Sequence, residues 1–123
     1  MGKWKKSSEE LKEKFLSTMA AFAEAEPRKM FGYPCCFLHG NMFTGLHEEN
    51  WVLRLQDEDR EAMIAEHNAE RFAPMGRLMK EYVILPKGVL TDETALTSWI
   101  QKSISYVMTL PVKIQKKKAN AKA

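Results

Sequence analysis

The apolar pattern of this chain changes period twice, at Pro27 and at Thr91, and these two changes restrict the folds open to it. Before Pro27, Leu11, Phe15, Met19 and Phe22 recur every three or four residues and form one stripe of a helix. Between the two points, short apolar runs broken by Gly, Asn and acidic pairs read as strands and turns. After Thr91 the helical spacing returns through Leu96, Trp99, Ile100, Ser103, Val107 and Leu110. Helix, strands, helix is the order of an α+β domain in which helices cover an antiparallel sheet.

Local signals predict the elements. A helix is expected over residues 7–26, opened by a capping box of Ser7 and Glu10 and stopped by Pro27. Residues 30–38 form the first expected strand, apolar on both parities, as where both sheet faces are covered. A turn at Gly40-Asn41 leads to an antiparallel strand over 42–47, and Glu48-Glu49-Asn50 turns into a third over 51–55. Within that third strand Trp51, Leu53 and Leu55 point one way, Val52 and Arg54 the other. Asp57 is expected to cap a short helix to His67 whose inner side carries Met63, Ile64 and His67. A loop holding Pro74 and a turn at Gly76 precede the last strand, 80–85. Thr91 is the expected N-cap of the final helix, with Leu90 and Ala95 as its hydrophobic staple and Pro111 as its end. The expected architecture is therefore α+β: an N-terminal helix, an antiparallel sheet of four or more strands with a short inserted helix, and a long C-terminal helix packed on the sheet.

Length and composition, 123 residues with 45% hydrophobic and 28% charged, suit one globular domain over 1–112. No window reaches the ~18 apolar residues of a membrane span. The start, Met1-Gly2-Lys3-Trp4-Lys5-Lys6, has no apolar stretch behind it and does not read as a secretory signal. Two adjacent cysteines cannot staple distant segments, which points to a reducing cytoplasm. The net charge of +3 is unevenly placed. A basic N-terminal tail, 1–6, and a lysine-rich tail expected to be disordered, 113–123, hold eight lysines and no acid. The body, 7–112, holds 11 basic and 16 acidic residues, a net of −5, so a basic folded face for nucleic acid is not expected. Any weak phosphate contact would fall to Lys116, Lys117 and Lys118.

Residues able to carry chemistry are few. Cys35 and Cys36 point to opposite faces of a strand, so they cannot share a metal without a bulge. No lysine or arginine beside them in sequence would lower a thiol pKa. His39, His47 and His67 read as turn, strand-end and helix-end residues. There is no Gly-x-Ser-x-Gly turn, phosphate loop or calcium loop. Phe31, Tyr33, Phe37, Phe43 and Trp51 on neighbouring strands are similar to an RNA-stacking platform. With only Lys29 and Arg54 nearby, core packing fits them better. No catalytic residue, metal or cofactor is expected.

Met30-Phe31-Gly32, the Gly40-x-Met42-Phe43 hairpin, Trp51-x-Leu53-x-Leu55, Phe72, Tyr82-x-x-Leu85-Pro86 and Trp99 together resemble the N-terminal domain of the TfoX/Sxy competence-regulator family. Tyr33-Pro34 departs from the second Gly and the residue that follows it in the family pattern. The resemblance implies an α+β fold and a part in regulating competence or gene expression through protein contacts, with no catalytic residues. The family's regulators add a C-terminal helical domain for which this chain offers no pattern. The expectation is a non-enzymatic bacterial interaction module, with a protein partner, no membrane, and room for a homodimer. A nucleic-acid accessory protein using its lysine tails is the alternative, and a small-molecule enzyme the third reading.

Overall fold

In the computed structural model, which describes residues 5–113, six antiparallel strands form one sheet in the order β1-β2-β3-β4-β6-β5. In chain order the elements are α1 (Glu9–Met19), β1 (Glu26–Met30), β2 (Tyr33–Leu38), β3 (Asn41–His47), β4 (Asn50–Arg54), α2 (Asp57–His67), β5 (Glu70–Arg71), β6 (Tyr82–Ile84), α3 (Lys87–Leu90) and α4 (Glu93–Met108). The fold is the expected α+β class, with more strands than the four the sequence required.

Helix α1 starts one residue later than the capping box placed it. Ser8 is the N-cap, and its hydroxyl accepts the backbone N–H of Leu11 at 3.2 Å. The reciprocal carboxylate comes from the β3–β4 turn: Glu49 accepts the Ser8 N–H at 2.6 Å. Ser7 instead donates its hydroxyl to the Glu48 carbonyl at 2.5 Å. A carboxylate distant in sequence thus completes the cap that Glu10 was expected to complete.

The helix also ends seven residues early, at Met19. Turns of the Phe22 N–H to the Met19 carbonyl and the Ala25 N–H to the Phe22 carbonyl lead the chain off its axis. Glu26–Met30 then pairs with β2, from Glu26 opposite Phe37 to Met30 opposite Tyr33. Pro27 is therefore a residue of an edge strand, where a missing N–H is tolerated, and not a helix stop. The first expected strand is in fact two, divided at Phe31-Gly32. Both residues have positive φ, 55° and 85°, as a two-residue hairpin turn of this hand requires. His39 and Gly40 repeat the device between β2 and β3, so that turn sits one residue earlier than expected.

Gln56, not Asp57, precedes α2, and Asp57 is ion-paired with Arg60. Arg60 is only 3% exposed and also donates to the Leu55 carbonyl at 2.8 Å, so the acidic first turn serves to bring in a buried cation. Met63 is buried as expected, whereas His67 is exposed, its ring edge-on to Trp99 at 5.9 Å. A one-turn helix, α3, lies between the last strand and the final helix, and the last cap moves from Thr91 to Asp92, which accepts the Ala95 N–H at 3.1 Å.

Helices cover one face of the sheet. Phe15 and Met19 of α1, and Leu96, Trp99, Ile100, Ile104 and Val107 of α4, share a core with Cys36, Leu38, Phe43, Trp51, Leu53 and Val83. Ser103, buried among them, donates to the Arg54 carbonyl at 2.5 Å and fastens α4 to the end of β4. Trp99 sits in this core at 8% exposure, so Trp99→Ala should lower the unfolding free energy by about 3 kcal/mol or more. Denaturant titration measures it, and a loss below about 1 kcal/mol would show that α4 does not pack through that indole.

Candidate functional site

The other sheet face carries a second apolar cluster: Val52, Phe72 and Tyr82, with Met42 and Ile84 against it. It exists because β3 breaks its own alternation. Cys36 pairs with Thr44 but Phe37 pairs with Met42, which leaves Phe43 as the extra residue of a β-bulge. Phe43 and Thr44 therefore both join the helix side, where Thr44 accepts the Trp51 indole N–H at 2.8 Å. Met42 is directed to the opposite face.

Above this cluster the chain from Phe72 to Met79 folds back on itself. The Met79 N–H donates to the Phe72 carbonyl at 2.9 Å, and the single 3₁₀ turn Pro74–Gly76 lies between them. Met75 and Gly76 both have positive φ, 55° and 78°, at the apex. This arch and the β1–β2 tip wall an apolar groove of about 640 Å³. Met30 and Phe31 form one wall, Phe72, Met75 and Met79 the other, and Cys35, Met42 and Val52 the floor. Phe31 and Met75 are 76% and 78% exposed, an unusual cost for large apolar side chains standing together. Tyr33, His47 and Phe72 close one end as a row of rings, with centroids 5.6 Å and 5.3 Å apart. Arg77 is the only Lys, Arg, Asp or Glu among the described residues lining the groove. Gly45 keeps the floor open: a Cβ there would lie 2.9 Å from the Cys35 Cβ and 3.1 Å from the Met42 methyl.

The two thiols are divided as the strand period requires, Cys36 in the helix-side core and Cys35 in the groove floor. Arg28 does face Cys35 across the β1–β2 pair, a neighbour the sequence spacing concealed. Burial outweighs that cation and raises the Cys35 thiol, while burial and then Cys35 itself push Cys36 up to about 11. Both are poor nucleophiles at neutral pH. Among the described residues no group of three or more His, Cys, Asp and Glu is placed to hold a metal ion. Nor is any helix among them long and apolar enough to cross a membrane. Lys116, Lys117 and Lys118, the expected phosphate contacts, lie outside the described residues.

Beside the groove a polar network locks β4 to β6 and α4. Arg54 donates to Glu81 at 2.6 Å, and Tyr106 donates to the other Glu81 oxygen at 2.9 Å. Tyr82 donates its hydroxyl to the Met42 carbonyl at 2.8 Å, and burial pushes that phenol up to about 12. Partial burial of Glu81 works against ionisation, yet the hydrogen bonds from Arg54 and Tyr106 prevail and hold its carboxyl below the usual range. A lowered folded pKa stabilises the fold above the unfolded carboxylate value and ceases to do so as pH falls through the folded value. Glu81→Gln should therefore lower the thermal midpoint at neutral pH, and the gap from wild type should close below about pH 4. A gap that is constant across that range would show that the charge of Glu81 does not contribute.

A sheet with one helix-covered face and an exposed apolar groove on the other defines the class, an α+β domain. The TfoX N-terminal domain matches residues 17–106, and the chain belongs to that family. The matched stretch includes both groove walls and the Trp99 anchor. No curated protein and no solved structure matches the chain.

Proposed function

We propose that the protein is a non-enzymatic regulatory module that acts by binding a protein partner in the groove. The observation that carries this reading is the apolar groove itself, whose facing walls present Phe31 at 76% and Met75 at 78% exposure over an apolar floor. Burying such side chains drives association, at roughly 25 cal/mol for each Å² of apolar surface removed from water. Methionine suits the task, since its flexible thioether adapts to a partner's surface, and the groove holds Met30, Met42, Met75 and Met79. The non-enzymatic part is supported by the raised thiols and by Glu81, whose two oxygens are taken by Arg54 and Tyr106. Competence or transcription regulation is the setting that the family offers, and two buried free cysteines fit work in the cytoplasm.

The test is a double substitution, Met75→Asp with Met79→Asp. Both side chains are exposed, so the thermal midpoint should stay close to wild type. Affinity capture from native cells, quantified by mass spectrometry, should lose the principal captured protein. A captured set that is unchanged would remove the groove from the account.

A further inference from the structure

The groove's single cation has no acid to answer it. Arg77, directly after Gly76 on the arch, lines the groove and is exposed, and its guanidinium forms no ion pair or hydrogen bond among the described residues. The two other arginines near this face are engaged. Arg28, opposite Cys35 in the strand pairing, donates to Glu26 at 3.0 Å and stands 4.4 Å from the centre of the Phe37 ring. Arg54, beside Tyr82, donates to Glu81 at 2.6 Å. The floor that Arg77 overlooks is uncharged and buried at Cys35 and Val52, and Gly45 leaves room above it.

We propose that the groove binds an amphipathic carboxylate, an unbranched aliphatic chain with one anionic head, the head pairing with Arg77 and the chain lying over Cys35, Met42 and Val52. The ligand site stands on the groove's geometry. Its consequence, that a bound chain keeps a protein partner out, rests on the reading of the groove as a docking surface. Charge complementarity selects the head. A guanidinium offers one carboxylate two parallel N–H donors, whereas an ammonium head would be repelled and an alcohol would leave the charge unanswered. Shape selects the tail. The groove's volume, about 640 Å³, falls within the roughly 300–1,000 Å³ of small-molecule sites. The flexible thioethers of Met30, Met42, Met75 and Met79 can close around a chain that has no rigid outline of its own. Because Arg77 is exposed, the head stays hydrated while the tail leaves water.

The probe is decanoate, kept below its micelle concentration and added to the full chain with carbon-13 labelled methionine methyls. Met42, Met75 and Met79 report on the groove, while Met19 and Met63, buried on the helix side, are internal controls. Decanoate should move the groove methyls saturably and leave both controls in place. Octanoate, two methylenes shorter, should bind roughly fifteenfold more weakly, at about fourfold for each buried methylene. Arg77→Gln should weaken decanoate roughly tenfold and leave decanol unaffected, and Arg77→Lys should recover part of the loss. Arg77 is exposed, so both variants should keep the fold. Groove methyls that do not move overturn the proposal, as do shifts that include Met19 and Met63. Decanoate binding that is unchanged in Arg77→Gln, or matched by decanol in wild type, also overturns it. The two readings separate cleanly. If the methyls stay still while Met75→Asp with Met79→Asp loses its captured protein, the ligand site fails and docking stands. If decanoate binds through Arg77 and capture is unaffected by that double substitution, the ligand site stands and docking fails.

Discussion

Both faces of the sheet depend on the bulge at Phe43. Side chains on a strand alternate with a period of two, so a single extra residue exchanges everything beyond it between core and solvent. Without the bulge, Thr44 and Met42 would share a face. With it, Thr44 meets the Trp51 indole in the core, and Met42 lies on the groove floor beneath Val52, Phe72 and Tyr82. Thr44 also donates to the Val52 carbonyl at 2.7 Å, which satisfies the hydroxyl at zero exposure and joins β3 to β4 at this point. A buried indole N–H left without such an acceptor would cost about 1–3 kcal/mol.

The same register positions the ends of the described chain. Asn41, first residue of β3, donates its side-chain amide to the Pro111 carbonyl at 3.1 Å, and the Lys113 N–H donates to the His39 carbonyl at 2.8 Å. Lys113 comes so close to the β2–β3 turn that a Cβ on Gly40 would stand 1.8 Å from its carbonyl oxygen. At the opposite turn, Glu48 and Glu49 hold residues 5–8. Lys5 and Lys113, read from the sequence as tail residues, thus have their backbones fixed to the sheet's two central hairpins.

Much of the helix side was legible because long apolar stripes survive in sequence. The α4 stripe named Leu96, Trp99, Ile100, Ser103 and Val107, which are buried, and Leu110, which is half-buried beyond the helix end, and the third strand's alternation divided Trp51, Leu53 and Leu55 from Val52 as read. What escaped lacked that signal. Strand β1 is an edge with Pro27 in it and an almost fully exposed pattern, so no alternation marks it. β5 has two residues and α3 one turn, too short to show a period. The groove was invisible for a different reason: its walls, near Met30 and near Met75, are far apart in sequence and meet only through the sheet. The Gly76 turn was seen, but not that Met75 beside it also has positive φ and lifts its side chain into solvent.

The proposed interaction through the uncovered face rests on this division of the sheet, which nuclear Overhauser contacts test most directly. The account predicts that the Met42 methyl contacts Val52 and Tyr82, while Phe43 ring protons contact core residues of α1 and α4 such as Phe15 and Ile104. Met42 contacts to α4, with Phe43 facing Val52 and Phe72, would mean that the bulge is absent and the groove does not form.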